Sequence, residues 1–282
     1  MPVISIKNEL NKASQQHYAI PLFNVFEMGS VEGLASSIAR LRAPSIIGIY
    51  SGTASQPNGK PLAAYVRARF ENIDVPVTIM LDHGSSVELC IRVLDYGFTD
   101  VMYDGSTLPF EENIANTRRV VQAAHAVGAA VEAELGHVGS GADYDRFGSQ
   151  AIGFTEPDQV EKFVDETGVD FLAIAFGNAH GLYKGEPKLD LELVRTIHAR
   201  VDVPLVMHGG TGISDAQFRG AIAAGISKIN YVTNIVNSAT AYMKTAAQSP
   251  DGNLFTITQG VTRAYEEWSE KLFSVFGTAG KA

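Results

Sequence analysis

Three histidines in this sequence share an unusual setting. Each follows an apolar run that predicts a buried β-strand, and each is followed directly by glycine, in the pairs His83-Gly84, His180-Gly181 and His208-Gly209. A single histidine in such a place is usually a hydrogen-bonded core residue. Three imidazoles that converge beside carboxylates are instead typical of a divalent transition-metal site, most often for zinc, and three protein ligands leave a coordination position open for catalysis.

Carboxylates accompany these histidines. Asp82 directly precedes His83, and Asp104 and Glu134 end the next two apolar runs. A charged group at the edge of a core costs several kcal/mol unless it is paired. We therefore expect Asp104 and Glu134 to accept hydrogen bonds from imidazole N–H groups. We expect Asp82 to exchange a proton with a substrate hydroxyl.

Apolar runs rich in β-branched residues alternate along the chain with longer amphipathic segments. The runs predict eight strands, at 19–25, 45–51, 77–83, 100–104, 129–135, 171–177, 204–209 and 227–232. The amphipathic segments predict helices at 29–41, 60–71, 86–96, 111–127, 157–167, 189–200, 214–224, 234–246 and 257–276. This alternation is typical of a parallel sheet covered on both faces. It predicts an α/β fold, a single (β/α)8 TIM barrel over residues 1–282 with an extra C-terminal helix, in preference to an open doubly wound sheet.

Polar residues occur at the carboxyl ends of all eight predicted strands. They are Asn24, Ser51, Asp82 with His83, Asp104, Glu132 and Glu134, His180, His208, and Asn230. In a TIM barrel these ends meet at one face, where active sites are built. We therefore expect the histidines and acids to converge there, with Asn24 and Ser51 contacting a substrate in the same pocket.

Glycine-rich loops follow the last two predicted strands. The segment HGGTG occupies 208–212, and KINYVTN occupies 228–234. The loops after strands 7 and 8 form the common phosphate site of TIM barrels, because glycine lets backbone N–H groups approach an anion. The segment GLYKG after strand 6 brings Lys184 to the same side. The sequence therefore predicts a phosphate site beside the metal.

A metal next to a phosphate site predicts chemistry beside a carbonyl group. A divalent cation can polarise a ketone and stabilise an enediolate. Schiff-base chemistry would instead need a buried lysine at the end of a strand, and the nearest candidate, Lys228, begins its predicted strand. We interpret His17, His125 and His198 as structural residues, whereas His137 adjoins strand 5 and is a candidate for lining the pocket.

The composition narrows the classes of partner and the compartment. The net charge of −9 argues against a nucleic-acid or anionic-membrane surface. The single cysteine, Cys90, lies on a helix pattern and reads as a core residue, so no disulfide framework is expected. The first 20 residues have no apolar signal region, and no stretch approaches a membrane span. These features predict a cytoplasmic protein.

Several motifs resemble one known family. The segments LDHG, YDGSTLPFEENIANTRRVV, VEAELG, GNAHGLYK, MHGGTGIS, KIN and FGTAGKA look like those of the class II, metal-dependent ketose-bisphosphate aldolases. Fructose- and tagatose-bisphosphate aldolases belong to that family. The motifs run over nearly the whole chain in the family's order. The resemblance implies a (β/α)8 barrel, a homodimer or homotetramer, and reversible aldol cleavage of a phosphorylated ketose that releases dihydroxyacetone phosphate.

The resemblance also implies roles for individual residues. His83, His180 and His208 would bind Zn²⁺, and Glu134 and Asp104 would support the metal or bind it in an alternative position. Asp82 would carry the proton of the aldehyde oxygen. Dihydroxyacetone phosphate would be held by Gly181, Lys184, Gly209, Thr211, Asn230 and Thr233. A monovalent cation, Na⁺ or K⁺, often lies near that phosphate in the family.

This chain departs from the family pattern in two places. The loop after strand 5 often carries Gly-Gly-x-Glu-Asp, whose acid removes a carbon-bound proton. Here it reads GHVGSGADYDRFG, so Asp143 or Asp145, with Tyr144, is the candidate replacement, and we take Asp145 as the catalytic acid. Many members also bind a second phosphate through a basic residue early in the last helix, where this chain has Gln259, with Arg263 a turn later. Both a ketose 1-phosphate and a 1,6-bisphosphate therefore remain candidate substrates.

Two alternatives to an aldolase remain at this stage. One is another metal-assisted reaction on a sugar phosphate, such as isomerisation or dehydration. The other is a non-catalytic accessory subunit of an aldolase. A degenerate subunit is expected to have lost metal ligands, whereas this chain carries all three histidines and Asp82.

Overall fold

Eight parallel strands form a closed barrel in this computed structural model, which describes residues 3–141, 153–183 and 185–282. The strands pair in chain order, and β8 closes the barrel against β1. Their bounds are β1 Ile20–Asn24, β2 Ser45–Tyr50, β3 Val77–Gly84, β4 Asp100–Tyr103, β5 Ala130–Leu135, β6 Phe171–Ile174, β7 Leu205–Met207 and β8 Ile226–Asn230. The predicted TIM barrel is confirmed, although β6 and β7 are shorter than predicted.

Helices surround the barrel and cover its outer face. They are α1 Lys7–Gln16, α2 Met28–Leu41, α3 Ser51–Ala54, α4 Gly59–Phe70, α5 Val87–Leu94, α6 Phe110–His125, α7 Pro157–Thr167, α8 Leu191–His198, α9 Asp215–Ala224, α10 Thr233–Gln248 and α11 Leu254–Phe276. Nine of these match the predicted helices with ends shifted by only a few residues. The helices α1 and α3 were not predicted.

The unpredicted helix α1 packs under the amino-terminal end of the barrel. Its buried residues are only Leu10 and Ala13, too few to give a clear helical period in the sequence. Together with Ile6 they join an interior cluster that includes Met80 and Phe171 of the strands. This helix therefore fills the end of the barrel opposite to the carboxyl ends of the strands.

The C-terminal helix α11 holds the first strand from outside. Phe273 packs edge-to-face on Phe23, with ring centroids 5.8 Å apart. Tyr265 donates a hydrogen bond from its hydroxyl to the backbone oxygen of Asn24, at 2.7 Å. At Gly33 of α2, an added Cβ would come within 2.3 Å of the Thr262 backbone oxygen, so only glycine allows these helices this approach. The extra helix thus fixes the position of Asn24.

Two smaller predictions concern the single cysteine and membrane spans. Cys90 on α5 is buried in the layer between strands and helices, as its helical pattern predicted. Among the described residues, no helix combines the length and apolarity that crossing a bilayer requires.

Candidate active site

A cavity of about 700 Å³ opens at the carboxyl ends of the strands. Most of the site residues predicted from the sequence line it, namely Asn24, Ser51, Asp82, His83, Asp104, Glu134, His180, Gly181, Gly209, Thr211, Asn230 and Thr233. His208 lies beneath them and is fully buried. Lys184, Asp145, Asp143 and Tyr144 fall outside the described residues. Within the described chain, the barrel therefore brings together residues that are far apart in sequence.

Strand β3 stops at the site for local reasons. Ser86 caps α5 by accepting a hydrogen bond from the Leu89 backbone N–H at 3.1 Å, so only two residues separate the end of the strand from the start of the helix. His83 has a left-handed backbone with φ of 50°, which is rare for a residue with a side chain. At the next position, an added Cβ on Gly84 would meet the Met102 oxygen and the Cys90 sulfur at 2.4 Å. The glycine after the histidine is therefore required by packing.

The three predicted metal-binding histidines face one another. The ring centroid of His83 lies 4.9 Å from that of His180 and 4.7 Å from that of His208. His83 Nε2 and His208 Nδ1 are 2.9 Å apart. One ring nitrogen from each histidine falls in a group whose atoms all lie within 4.8 Å of one another. A single divalent cation between these nitrogens could contact all three.

His180 provides the most direct test of whether a metal fits. Its Nδ1 lies 3.2 Å from the Val138 backbone oxygen, which assigns the N–H to that nitrogen. Its Nε2 is buried and has no hydrogen-bond partner among the described residues. Buried polar atoms are rarely left unpaired, so such an atom needs an explanation such as an ion. A buried, neutral imidazole nitrogen with a free lone pair is a suitable zinc ligand.

A second group of possible ligand atoms shares His83 and adds the two acids. His83 Nδ1 donates to Asp104 Oδ2 at 2.8 Å, and Asp104 Oδ1 accepts from the Ser106 hydroxyl at 2.7 Å. One oxygen of Glu134 accepts from the Val138 N–H at 3.0 Å, and its other oxygen has no hydrogen-bond partner among the described residues. One atom from each of His83, Asp104 and Glu134 lies within 4.8 Å of the others. The acids thus offer a cation a second position next to the first.

Asp82 is held by two amides. Asn24 Nδ2 donates to Asp82 Oδ2 at 2.7 Å, and Asn230 Nδ2 donates to Asp82 Oδ1 at 2.9 Å. Burial opposes ionisation of this carboxyl, but the positive charges of His83 and Lys228 and the hydrogen bond from Asn24 outweigh it and lower the pKa. Asp82 is therefore a fixed anion at the floor of the cavity.

The histidines differ in their affinity for protons. Burial disfavours the charged form of His83, but Asp82 and the hydrogen bond to Asp104 outweigh this effect and raise its pKa to about 9. Burial and the charge of His83 lower the pKa of His180 to about 4. Burial and the same neighbour hold the pKa of His208 well below its usual value. Two of the three imidazoles are therefore neutral near pH 7, which is the form that binds a metal.

Comparison with known proteins identifies the family. The model of the class-II fructose-bisphosphate aldolases matches residues 4–281. The chain belongs to this family. A fructose-bisphosphate aldolase of Geobacillus stearothermophilus is 42% identical over 255 residues, 89% of this chain and 88% of the relative. A probable fructose-bisphosphate aldolase of Bacillus subtilis is 40% identical over 255 residues, 89% of each chain.

A solved structure agrees with this assignment. The crystal structure of the YdjI aldolase from Escherichia coli K12 superposes with a TM-score of 0.89 at 34% identity and covers 99% of both chains. The family that the motifs indicated is therefore confirmed. The class-II fructose-bisphosphate aldolases are aldehyde-lyases.

Two buried residues, Glu132 and Lys228, make contacts that the sequence did not predict. Glu134 was expected to accept a hydrogen bond from an imidazole, but its Oε2 lies 3.9 Å from His208 Nδ1. Glu132 accepts instead, with its Oε1 2.8 Å from His208 Nε2. Lys228 lies inside β8 rather than at its start, and its ammonium is 2.8 Å from Glu132 Oε2. Glu132 lies two residues before Glu134, and Lys228 lies two residues before Asn230, so all four side chains point into the barrel. This alternation could have identified Glu132 and Lys228 from the sequence.

The predicted phosphate side of the cavity is built from backbone. Gly209 has φ of 71°, and an added Cβ would come within 2.0 Å of the Ala179 backbone oxygen. Tyr183 ties the two loops together, because its hydroxyl accepts from the Ala179 N–H at 2.7 Å and donates to the Gly209 oxygen at 3.0 Å. Thr233 begins the long helix α10 at the same edge of the cavity. Close backbone and a helix N-terminus together suit an anion.

The remaining histidines have different surroundings. His137 lines the cavity, and its Nδ1 lies 3.3 Å from the Ser106 hydroxyl. His125 pairs with Asp170 at 2.9 Å on the outside of the barrel, and His17 ends α1 with a left-handed backbone. Neither His17 nor His125 approaches the cavity, in line with their structural interpretation.

Proposed function

We propose that this chain catalyses reversible aldol cleavage of a phosphorylated ketose into dihydroxyacetone phosphate and an aldehyde, with Zn²⁺ as its metal. The observation that carries the proposal is the convergence of His83, His180 and His208 beside an anionic Asp82. Membership of the class-II aldolase family supports the reaction type. The unpaired Nε2 of His180 supports a metal at this point.

The proposed metal is held by the three histidines, with Asp104 and Glu134 offering a neighbouring position. When bound, zinc supplies positive charge that stabilises the ketone oxygen as it becomes negative. Asp104 keeps His83 oriented by accepting its Nδ1–H, and Glu132 does the same for His208 at its Nε2. Such acceptors fix the ring so that the other nitrogen faces the metal.

Asp82 takes up the proton that the substrate hydroxyl loses when the carbon–carbon bond breaks. In the cleavage direction, the hydroxyl on carbon 4 of the ketose gives its proton to an Asp82 oxygen. The bond between carbons 3 and 4 then breaks, and its electron pair moves towards the carbonyl at carbon 2. The products are an aldehyde and the enediolate of dihydroxyacetone phosphate. Asn24 and Asn230 hold the carboxylate in place throughout, since each donates to one of its oxygens.

A second acid completes the reaction. The enediolate takes up a proton at carbon 3, and we assign Asp145 in the loop after β5 as its source. Asp82 afterwards releases its proton to solvent and Asp145 regains one, so no proton is gained or lost overall. The backbone of His180 pairs with Gly139 and Gly141 at the start of this loop, at 2.8 and 2.6 Å, which ties the loop to the metal site.

The phosphate of the ketose occupies the glycine-rich side of the cavity. We assign its binding to Gly181, Lys184, Gly209, Thr211, Asn230 and Thr233, with Na⁺ or K⁺ beside it and Ser51 as a further contact. The close backbone at Gly209 and the start of α10 support this assignment. The monovalent cation is proposed from the family resemblance.

Neutral side chains make up much of the rest of the cavity lining. They include Phe26, Tyr50, Ser85, Thr107 and Val232. Among the described residues that line the cavity there is no lysine or arginine. Arg263 on α11 pairs with Glu267 at 2.7 Å instead. We therefore propose that the enzyme does not require a second phosphate and uses a ketose 1-phosphate at least as well as a 1,6-bisphosphate.

The decisive experiment measures zinc and products together. The purified protein is assayed for zinc content and for release of dihydroxyacetone phosphate from ketose 1-phosphates and 1,6-bisphosphates, with and without a chelator. We expect about one zinc per chain and release that stops with chelator and returns with added zinc. An isomerase or dehydratase would yield no carbon fragments. A protein that binds no zinc and stays inactive when zinc is supplied would contradict the proposal.

We propose a homodimer or homotetramer. Leu254 and Phe255 at the start of α11 are 73% and 77% exposed, which suits a contact between subunits. Light scattering of the purified protein gives the mass of the assembly, and a monomer at micromolar concentration would contradict this proposal. A cytoplasmic location remains a prediction from the sequence.

A further inference from the structure

Lys228 is a fully buried lysine in the middle of β8. Its ammonium lies 2.8 Å from Glu132 Oε2, 3.1 Å from Glu132 Oε1 and 2.7 Å from Asn230 Oδ1. It is not among the residues that line the cavity. A lysine surrounded in this way cannot reach a substrate carbonyl, so it has no role as a Schiff-base nucleophile. A buried charge is nevertheless costly, and its retention needs a reason.

Each partner of Lys228 also contacts a residue of the proposed catalytic site. Glu132 Oε1 is 2.8 Å from His208 Nε2, and His208 is one of the proposed zinc ligands. Asn230 Nδ2 donates to Asp82 Oδ1 at 2.9 Å, and Asp82 is the proposed proton carrier. Lys228 is therefore the branch point of one buried network that joins the metal ligand to the acid.

The chemistry of an ammonium group sets the direction of both hydrogen bonds. An ammonium has three donors and no acceptor. Its partner on Asn230 must therefore be the amide oxygen, which leaves the amide nitrogen to face Asp82. With the opposite flip, Asn230 would present its oxygen to the Asp82 carboxylate and its nitrogen to the ammonium.

The same reasoning fixes the tautomer of His208. Glu132 pairs with the Lys228 ammonium through both oxygens, and a carboxylate in such a pair only accepts hydrogen bonds. His208 must then carry its proton on Nε2, and its Nδ1 keeps a lone pair. That nitrogen is the one that lies 2.9 Å from His83 Nε2 in the candidate metal site. A protonated Nδ1 could not bind a metal.

We propose that Lys228 is a positioning residue that sets the His208 tautomer through Glu132 and the Asn230 amide orientation that holds Asp82. The half that concerns Asp82 rests on the proposed aldolase function. The half that concerns His208 rests only on the metal site. One side chain thereby prepares the metal ligand and the acid for the same reaction.

The test replaces the ion pair by neutral residues of similar length. Lys228→Met alone leaves the Glu132 carboxylate buried without a cation, so its failure to fold would say nothing about positioning. The double variant Lys228→Met/Glu132→Gln removes both charges, and such replacements of buried ion pairs are often tolerated. Lys7→Met is the matched control, because Lys7 is 2.6 Å from the buried Asp170 at the opposite end of the barrel.

Two readouts distinguish positioning from mere stability. We expect the double variant to unfold near the wild-type temperature but to bind zinc about 10- to 100-fold more weakly in competition with a chelator. We expect its kcat to fall at least tenfold and by a larger factor than KM for the ketose phosphate rises, since Lys228 does not touch the substrate and reaches it only through Asn230. Lys7→Met is expected to change only the unfolding temperature.

The outcomes separate this proposal from the proposed function. A folded double variant with wild-type zinc affinity and wild-type kcat would overturn the role of Lys228, even if the wild type is an aldolase. A wild type without aldolase activity would refute the proposed function, and the zinc affinities would still decide the link to His208. Weak zinc binding in both the double variant and Lys7→Met would show a general loss of stability and also overturn the proposal.

Discussion

His83 Nε2 and His208 Nδ1 lie 2.9 Å apart at the ends of β3 and β7. Two nitrogen lone pairs cannot face each other at this distance unless a proton or a cation lies between them. Burial disfavours a charged His83, but the carboxylates of Asp82 and Asp104 raise its pKa to about 9, so a proton can take this place. A divalent cation would replace that proton, and the unpaired His180 Nε2 would then gain a partner.

Removal of a histidine from this group should remove the metal. We expect His208→Ala to lower the zinc content from about one per chain to nearly zero and to abolish turnover, because the two remaining imidazoles fall short of the three protein ligands of a catalytic zinc site. Metal analysis of the dialysed protein gives the content. His125→Gln is the control, since His125 pairs with Asp170 outside the site and should keep both zinc and activity. Full zinc content in His208→Ala would place the metal elsewhere.

Asp82 can be tested without disturbing the metal. We expect Asp82→Asn to keep its zinc and to lose roughly 10²- to 10⁴-fold in kcat, because an amide cannot accept the hydroxyl proton. Measured zinc content and kcat of the same preparation are compared with wild type. The new amide nitrogen would also face one of the two amides that now donate to Asp82, so a modest loss of stability is expected. Turnover at the wild-type rate would refute Asp82 as the proton carrier.

The barrel and its catalytic face could be predicted from the sequence because both depend on local patterns. Eight apolar runs gave strands, and the rule that carboxyl ends of barrel strands meet at one face brought His83, His180 and His208 together. The helix α1 was missed because its contacts with the barrel come from only a few apolar residues, such as Leu10. The position of α1 depends on tertiary packing rather than on a helical repeat of apolar residues in its sequence.

The buried network was missed for a different reason. Glu132 and Lys228 are 96 residues apart, and each looks unfavourable in its own apolar strand. They become stable only because the closed barrel places them side by side. The sequence likewise could not show which of the two inward-facing acids on β5 meets His208, and in the structure Glu132 does so.

Gly209 supports both the loop and the proposed phosphate site. We expect Gly209→Ala to lower the free energy of unfolding by at least about 2 kcal/mol more than Gly128→Ala, in urea denaturation. Both glycines have left-handed φ values, of 71° and 77°, but an added Cβ at Gly209 meets the Ala179 oxygen at 2.0 Å and at Gly128 meets nothing within 4 Å. Equal losses in the two variants would mean that the loop adjusts freely.

Because Ala179 precedes His180, displacement of this loop should also reach the metal site. We expect Gly209→Ala to raise KM for the ketose phosphate and to weaken zinc binding, whereas Gly128→Ala should leave both unchanged. If KM and zinc affinity are unaffected in Gly209→Ala, the backbone at this position does not form the phosphate site.

The opposite end of the barrel should make stability depend on pH. Burial raises the pKa of Asp100 to about 7, against hydrogen bonds from the backbone N–H groups of Ile6 and Ala130. The folded protein therefore holds a proton on Asp100 that the unfolded chain has lost between about pH 4 and 7. Stability from this group is present at low pH and is lost as pH rises through that window. At about 1.4 kcal/mol per unit, the loss amounts to up to roughly 4 kcal/mol.

The measurement compares Asp100→Asn with wild type from pH 5 to 8 by urea denaturation. We expect the unfolding free energy of wild type minus that of the variant to fall as pH rises to about 7 and then to level off, because the amide does not titrate. Asp165→Asn, a change at an exposed carboxylate on α7, should give a nearly flat difference. A flat difference for Asp100→Asn would mean that this carboxyl is already ionised at pH 5, with its N–H donors outweighing its burial.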